Sequence, residues 1–350
     1  MIYYDVTKMG KATQRSGLTR VSSRISEELG SMLVDVRWDA RSGGFINAKT
    51  GRPVVFKAHE WLLSVELFSE AERPGFWAFL RKPPCRLAAI FPDAIPLQWP
   101  HITWPHSVQR HPEYMKMLAS FDLVWGISET VRAELVEFWR WQGVPVRAQT
   151  AVIELGADFD GSTRLQRDPV CGRGQPAFLA VGIVEPRKNQ EFLLDVCEDL
   201  WAGGAHFKVD VVGRVNPHFG RGTEQRMLAL AKRNPAFAFH PRADDRLLHR
   251  LYAEARAVVC PTIAEGCGLP LIEALWLGVP CVASDLPVLR ENSAGGGCLM
   301  AKVNDAADWR EKLSAVLTDH ELVLRLQSEA MQRTLPKWSG TARIILKALA

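Results

Sequence analysis

Short apolar runs alternate along the chain with longer segments whose apolar positions recur every three or four residues. The first pattern suits strands buried on both faces. The second suits amphipathic helices that cover them. In the first half it predicts strands at Ile2–Val6, Leu33–Trp38, Val54–Ala58, Arg86–Phe91, Leu123–Ile127 and Thr150–Leu155. Helices are predicted at Gly17–Gly30 and Glu129–Trp141, the latter opened by Ser128 as N-cap. The stretch 156–176, GADFDGSTRLQRDPVCGRGQP, breaks the rhythm with Gly, Asp and Arg and reads as an interdomain linker. Beyond it, strands are predicted at Ala177–Val181, Lys208–Val212, Phe237–His240, Ala257–Cys260 and Cys281–Ala283. Helices follow at Asn189–Ala202, Thr223–Asn234, Asp244–Ala255, Leu269–Leu277, Ala306–Asp319 and Glu321–Thr334.

Repeated βα units imply parallel sheets covered on both faces. The expected fold class is α/β, with two Rossmann-like, doubly wound domains facing a cleft. They would span 1–158 and 159–335, and a last helix in 336–350 would pack back on the first domain. In such sheets ligands bind beyond the carboxyl ends of the strands.

Composition narrows the classes. With 350 residues, 47% hydrophobic and 23% charged, the chain has the balance of a folded two-domain protein. Its seven cysteines include no CxxC pair or Cys/His cluster, so a zinc site and a disulfide framework are not expected and a reducing, cytoplasmic setting is. The start lacks a signal-peptide layout. The longest apolar region, Gly266–Ala283, is broken by Pro270, Glu273 and Pro280, so no membrane span is expected. A net charge of +4 admits anionic substrates or an anionic membrane surface, and no basic stripe points to nucleic acid. Eight of the 12 Trp precede residue 150. Trp99, Trp104, Trp139 and Trp141 are candidates for sugar platforms or for core packing.

The strongest constellation is Glu265-Gly-Cys-Gly-Leu-Pro-Leu-Ile-Glu273, between the buried run AVVCPT and a helix. Gly266 and Gly268 permit a tight turn, and Pro270 suits a first helical turn. The exposed N–H groups of such a helix start favour a diphosphate. Glu265 and Glu273 flank that turn, and a carboxylate matches vicinal sugar hydroxyls. The pattern therefore suits a nucleotide sugar. A second constellation, VGIVEPRKN at 181–189, places Arg187 and Lys188 between a strand and a helix, where they can face phosphates. No Asp-x-Asp stands nearby, so cations rather than a metal are expected to neutralise the leaving group.

These residues resemble the nucleotide-binding domain of GT-B glycosyltransferases of the large family-4 group, and more narrowly bacterial exopolysaccharide mannosyltransferases. The motifs are VGIVEPRKN, Val212-Gly213-Arg214 and LYAEARAVVCPTIAEGCGLPLIEALWLGVPCVASDLPVLREN, within Phe178–Asn292. The resemblance implies that Lys188 and Arg187 bind the donor diphosphate. It implies that Glu273 binds the ribose, that Glu265 faces the transferred sugar, and that Gly268, Leu269 and Pro270 offer backbone to the phosphates. Gly213 and Arg242 would belong to the donor site, and residues 239–242 would seat the base. Cys267 departs from the usual aromatic. Gly10 and Gly17 would belong to a glycine loop over the donor phosphates and the acceptor.

Residues 89–97, AIFPDAIPL, resemble the family's His-Asp segment, but Pro92 stands where its His is expected. That departure sets an inverting reaction, with Asp93 as general base, against the family's retaining outcome. Asp93 in a Pro-Asp pair also reads as a turn residue. His101, His106 and His111 are rival bases or packing residues.

Residues 73–86, RPGFWAFLRKPPCR, interleave aromatics with basic residues. Such a stretch suits an anionic membrane surface, with Phe76, Trp77, Phe79 and Leu80 in the acyl boundary, or a polyprenyl-diphosphate-linked acceptor. A packed helix with a basic rim is the competing expectation. The implied function is a metal-independent glycosyltransferase without cofactor, at the inner face of the cell membrane. It would move a sugar from a nucleotide sugar, GDP-mannose by resemblance, to a carbohydrate or lipid-linked acceptor of bacterial surface polysaccharide. An epimerase, a glycogen-synthase-like elongating enzyme and a non-catalytic sugar-nucleotide-binding partner are the alternatives.

Overall fold

A computed structural model describes residues 1–9, 17–158, 164 and 174–350. Gly10 and most of the expected linker lie outside them. The chain divides into two compact units, Met1–Gly156 with Pro336–Ala350, and Ala157–Leu335.

The N-terminal unit is built on β1 (Ile2–Asp5), β2 (Leu33–Asp39), β3 (Gly44–Asn47), β4 (Trp61–Ser64), β5 (Arg86–Phe91), β6 (Leu123–Gly126) and β7 (Gln149–Val152). Among the described residues they form one sheet in the order β3-β2-β1-β4-β5-β6-β7. Every pairing is parallel except β2 with β3. Helices α1 (Gly17–Leu29), α2 (Phe76–Arg81), α3 (Ile95–Gln98), α4 (Pro105–Leu118) and α5 (Glu129–Trp141) alternate with the strands. The C-terminal unit follows with β8 (Ala177–Val181), α6 (Gln190–Ala202), β9 (Lys208–Val212), α7 (Arg221–Arg233), β10 (Phe237–His240) and α8 (Asp245–Glu254). It continues through β11 (Ala257–Cys260), α9 (Leu269–Trp276), β12 (Cys281–Ser284), α10 (Pro287–Ser293), β13 (Cys298–Ala301), α11 (Ala306–Thr318) and α12 (His320–Gln332). Its described strands are all parallel, in the order β10-β9-β8-β11-β12-β13. The fold class is therefore two doubly wound α/β domains. Helix α13 (Trp338–Ala348) belongs to the N-terminal unit, where it contacts α1 and Thr341 Oγ1 donates to the carbonyl of Glu154 at 2.8 Å.

The central strands are buried along their length because both faces are covered. In β4 all four residues of WLLS are buried, and in β12 so are all four of CVAS. Helix α5 starts where the N-cap predicts: Ser128 Oγ accepts the N–H of Val131 at 3.1 Å.

Four sequence expectations need correction. Val54–Ala58 is not a strand, and β4 takes that place in the sheet. The segment carries Lys57, and Val55 is 86% exposed, whereas a central parallel strand needs apolar residues on both faces. Second, β3, β13 and α10 were not expected, being short and weakly patterned. Third, α4 was not expected because Pro112 lies inside it and removes a helical N–H. Fourth, residues 73–86 do not present an acyl-facing surface. Phe76 and Leu80 are buried core residues, and Phe79 packs edge-on to Phe45 at 5.6 Å. Trp77 donates its indole N–H to Glu113 at 3.3 Å, and Arg73 is only 1% exposed. The aromatic spacing belongs to an inward face. Among the described residues, no helix is long and apolar enough to cross a membrane.

Candidate functional site

In the C-terminal sheet the strand order reverses between β8 and β11, the position at which doubly wound sheets bind ligands. Both sequence constellations lie there. After β8 the chain enters a single 3-10 turn at Pro186–Lys188, and after β11 it runs through Thr262–Gly268 into α9. The two loops are tied together. The N–H of Ile263 donates to the carbonyl of Arg187 at 2.9 Å, and the Asn189 side-chain amide donates to the carbonyl of Pro261 at 3.1 Å. The Thr262 hydroxyl lies 2.8 Å from the Arg187 carbonyl and 2.9 Å from that of Ala264.

This bracing brings three predicted residues together. Lys188 Nζ is ion-paired with Glu265 Oε1, and Arg187 Nη1 stands 3.4 Å from Glu265 Oε2. Arg187 Nε also pairs with Glu185 at 2.5 Å, a partner that the sequence reading did not single out. Burial alone would raise the Glu265 pKa. The charges of Lys188 and then Arg187 outweigh it and hold this carboxyl below the ordinary carboxylate range. Two cations thus face two carboxylates, and each cation keeps part of its surface open: 26% for Arg187 and 12% for Lys188.

The turn beside this cluster has the backbone that its glycines suggest. Gly268 is left-handed at φ 80° and caps α9, with Pro270 in the first helical turn. A Cβ there would stand 2.4 Å from Leu289 Cδ2. Gly268 and Pro270 line the same small cavity as Lys188 and Glu265, about 20 Å³, room for one water. Leu269 is the first residue of α9. Glu273 lies one turn further along it, 2% exposed, and takes a hydrogen bond from the Tyr252 hydroxyl of α8 at 3.3 Å. Cys267, where the family resemblance leads one to expect an aromatic, is buried. Burial, then the charge of Glu265, pushes its thiol up to about 12, so it stays neutral. Asn292 donates to its carbonyl at 2.5 Å.

Gly213 ends the neighbouring β9 crossing. A Cβ there would come 1.8 Å from the carbonyl oxygen of Gly182, so the two strand ends approach too closely for any side chain. Arg242 lies exposed in the turn after β10. His240 in the same segment has Nε2 2.7 Å from Asp210 Oδ1.

The other predicted residues lie in the N-terminal unit. Gly17 opens α1. Asp93 stands just beyond the carboxyl end of β5, half-buried, and its Oδ1 accepts the N–H of Ile95 at 3.1 Å, so it does cap the Pro-Asp turn. His111 is buried against Phe91 and Tyr114 and bonds the Asp93 carbonyl at 2.8 Å. Burial lowers its pKa below the ordinary histidine value. His101 and His106 are exposed. Of the Trp candidates, Trp139 is buried and donates to the Met115 carbonyl at 2.6 Å, whereas Trp104 and Trp141 are 43% and 77% exposed.

Residues 175–319 match the family "Glycosyl transferases group 1". The match holds the whole constellation from Arg187 to Glu273. The serotype-specific mannosyltransferase WbdA of Escherichia coli is 26% identical over 257 residues, 68% of this chain and 31% of its own. The O-antigen chain mannosyltransferase RfbU of Salmonella typhimurium is 27% identical over 174 residues, 47% of each chain. The chain thus spans under a third of the length of WbdA and about half that of RfbU. Among solved structures, the sucrose-phosphate synthase of Thermosynechococcus elongatus superposes with a TM-score of 0.73 over 99% of this chain and 97% of its own, at 17% identity. That likeness shows the fold, two doubly wound α/β domains of the GT-B class. Residues 175–319 thus resemble a glycosyl transferases group 1 domain, and the chain is similar to O-antigen mannosyltransferases.

Proposed function

We propose that this protein is a glycosyltransferase that takes a sugar from a nucleotide sugar and passes it to a carbohydrate or polyprenyl-diphosphate-linked acceptor in bacterial surface polysaccharide synthesis. The observation that carries the reading is the Lys188–Glu265 pair beside the left-handed Gly268 at the start of α9, with Glu273 buried on the same helix. Lys188 and Arg187, with the first N–H groups of α9, bind the diphosphate and neutralise the charge that develops as it leaves. Glu273 accepts the ribose hydroxyls, and Glu265 faces the transferred sugar. Gly213 and Arg242 complete the donor side. Neither cofactor nor metal takes part, because these cations do that work. Mannose from GDP-mannose is the proposed transfer, by likeness to the mannosyltransferases. The acceptor is met at the cytoplasmic face of the cell membrane.

Asp93 acts as general base on the acceptor hydroxyl and the product is inverted. Retention is the second reading, favoured by the Asp93 Oδ1 already serving the Ile95 N–H. Calorimetry with GDP and UDP tests the donor site: Lys188→Ala and Glu273→Ala abolish binding, and unchanged affinity in either variant removes the assignment. Transfer of labelled mannose from GDP-mannose into membrane extract, unaffected by EDTA and lost on Asp93→Ala, tests the reaction. The anomer of the product decides between inversion and retention.

A further inference from the structure

In a parallel sheet the connections that lead into the strands gather at one edge, opposite the edge where ligands bind. In the N-terminal unit those connections are rich in exposed apolar residues. Nine large apolar residues are exposed among the described residues, and five of them lie here. Met1 precedes β1, Met32 precedes β2, and Val55 lies in the connection to β4. Trp141 ends α5, and Val146 lies between α5 and β7. At a strand spacing of about 4.8 Å, the edge from β2 to β7 is roughly 24 Å long. Val146, with Val136, Trp139, Val144 and Ala148, lines an open groove of about 550 Å³ that Arg140 also borders.

The same connections are basic. Lys57, Lys82 and Arg147 are exposed within them, and Arg81, Arg86 and Arg140 are exposed at the element ends that they join. The two acids of these connections are withdrawn. Glu60 is buried and accepts the N–H of Lys57 at 2.8 Å. Asp122 pairs with Arg147 and accepts the N–H of Leu87 at 2.8 Å. Packing fixes the cations in one patch. Phe56, next to Val55 and Lys57, packs edge-on to Phe79 of α2 at 6.4 Å. The carbonyl of Glu60 accepts the N–H of Arg86 at 2.9 Å, and the Arg86 guanidinium lies over the Trp61 ring at 4.1 Å. The whole chain has a net charge of only +4, so this concentration of cations is local.

We propose that this edge of the N-terminal sheet docks the protein on a membrane surface of anionic phospholipids. Trp141 and Val146 enter the headgroup boundary, and the cations face lipid phosphates. Apolar tips spaced between cations suit a fluid interface, whereas a protein partner needs a continuous, closely packed patch. A nucleic acid would use the cations and leave the apolar side chains idle. The basic end of α2 takes part, while its aromatics stay turned into the core. Naming a membrane rests on the function proposed above, in which the acceptor is met there; the docking itself is read without turnover.

The test is co-sedimentation of the full chain with two kinds of vesicle, one of equal parts phosphatidylcholine and phosphatidylglycerol, the other of phosphatidylcholine alone. The protein binds the first and not the second, and added salt weakens the binding. Lys57→Gln, Arg81→Gln and Lys82→Gln together lower vesicle affinity about tenfold or more, and Trp141→Ser lowers it about fivefold. Lys208→Gln, Lys232→Gln and Arg325→Gln remove as many exposed cations from the C-terminal unit and leave the affinity within about twofold. GDP affinity stays within about twofold in all of these variants, which separates docking from the donor site. No binding to the anionic vesicles, equal binding to both kinds, or equal loss in the two triple variants overturns the docking face. So does unchanged affinity in Trp141→Ser, or binding to heparin in place of vesicles, which marks an anionic polymer as the partner. Failure of the wild-type chain to bind GDP or UDP removes the donor reading instead and leaves the vesicle result to decide the docking.

Discussion

Each unit places carboxylates and cations at the reversal point of its parallel sheet, and the two clusters behave in opposite ways. In the C-terminal unit Lys188 and Arg187 keep an open edge, and they hold Glu265 ionised below the usual range. In the N-terminal unit Arg73 Nη2 pairs with Asp5 Oδ2 at 2.7 Å and Glu66 Oε2 at 2.9 Å, and these charges are sealed from water. There burial, then the charge of Asp5, pushes Glu66 up to about 7 in spite of Arg73. On the function proposed above, the same fold position serves once as an ionic socket whose salt bridge a diphosphate would displace, and once as a hold, through Glu66, on the backbone of Lys8 and Met9. What separates them is solvent access. A partly open pair exchanges partners easily, whereas a sealed pair cannot lose one without leaving a bare charge.

Removing one partner from each cluster is the sharpest way to break this contrast. Arg73→Met strips two buried carboxylates of their cation and is expected to cost about 3–5 kcal/mol of stability in denaturant unfolding. Lys188→Met is expected to unfold close to wild type yet lose GDP affinity by about a hundredfold, close to 3 kcal/mol, in calorimetry. Equal destabilisation by the two would erase the distinction between socket and hold.

Acid–base behaviour gives a smaller, signed effect. Glu66 keeps its proton in the fold across a range where the unfolded chain has lost its own. Stability is therefore expected to fall as pH rises from the ordinary carboxylate value, 4.5, to about 7, and then to level off. The charges of Asp5 and Arg73 face it directly, and Tyr4 lies close enough to feel its charge. Thermal unfolding between pH 5 and 8 should show this slope in the wild type and a flatter one in Glu66→Gln. Glu265 has the opposite sign: its contribution is present above 4.5 and lost as pH falls through its lowered value. The smallest effect concerns Glu265→Gln. It frees Lys188, so GDP affinity should hold or rise slightly while sugar transfer is lost; parallel loss of both would mean that Glu265 binds the nucleotide itself.

Much of this was legible in the chain. Runs such as AFLAV and AVVC read as central strands because parallel sheets demand apolar residues on both faces. The turn from Glu265 to Glu273 was readable because the glycines, the proline and the two acids lie within one local segment. The N-terminal cluster was not readable. Its members lie 7 to 68 residues apart, and only the pairing of β1 with β4 unites them. One signal was present: Glu66 interrupts the apolar run LLSVELF, and an acid inside such a run asks for a buried partner. Arg73, that partner, was grouped instead with the aromatics after it, whose period faces inward. Position 54–58 misled for a related reason, since β-branched residues without burial on both faces do not make a central strand.

The most direct measurement is a crystal structure of the chain with GDP-mannose bound. The account predicts the diphosphate against Lys188 Nζ and the first N–H groups of α9, with the ribose hydroxyls on Glu273. A nucleotide seated elsewhere, with the Lys188–Glu265 pair left undisturbed, would contradict it.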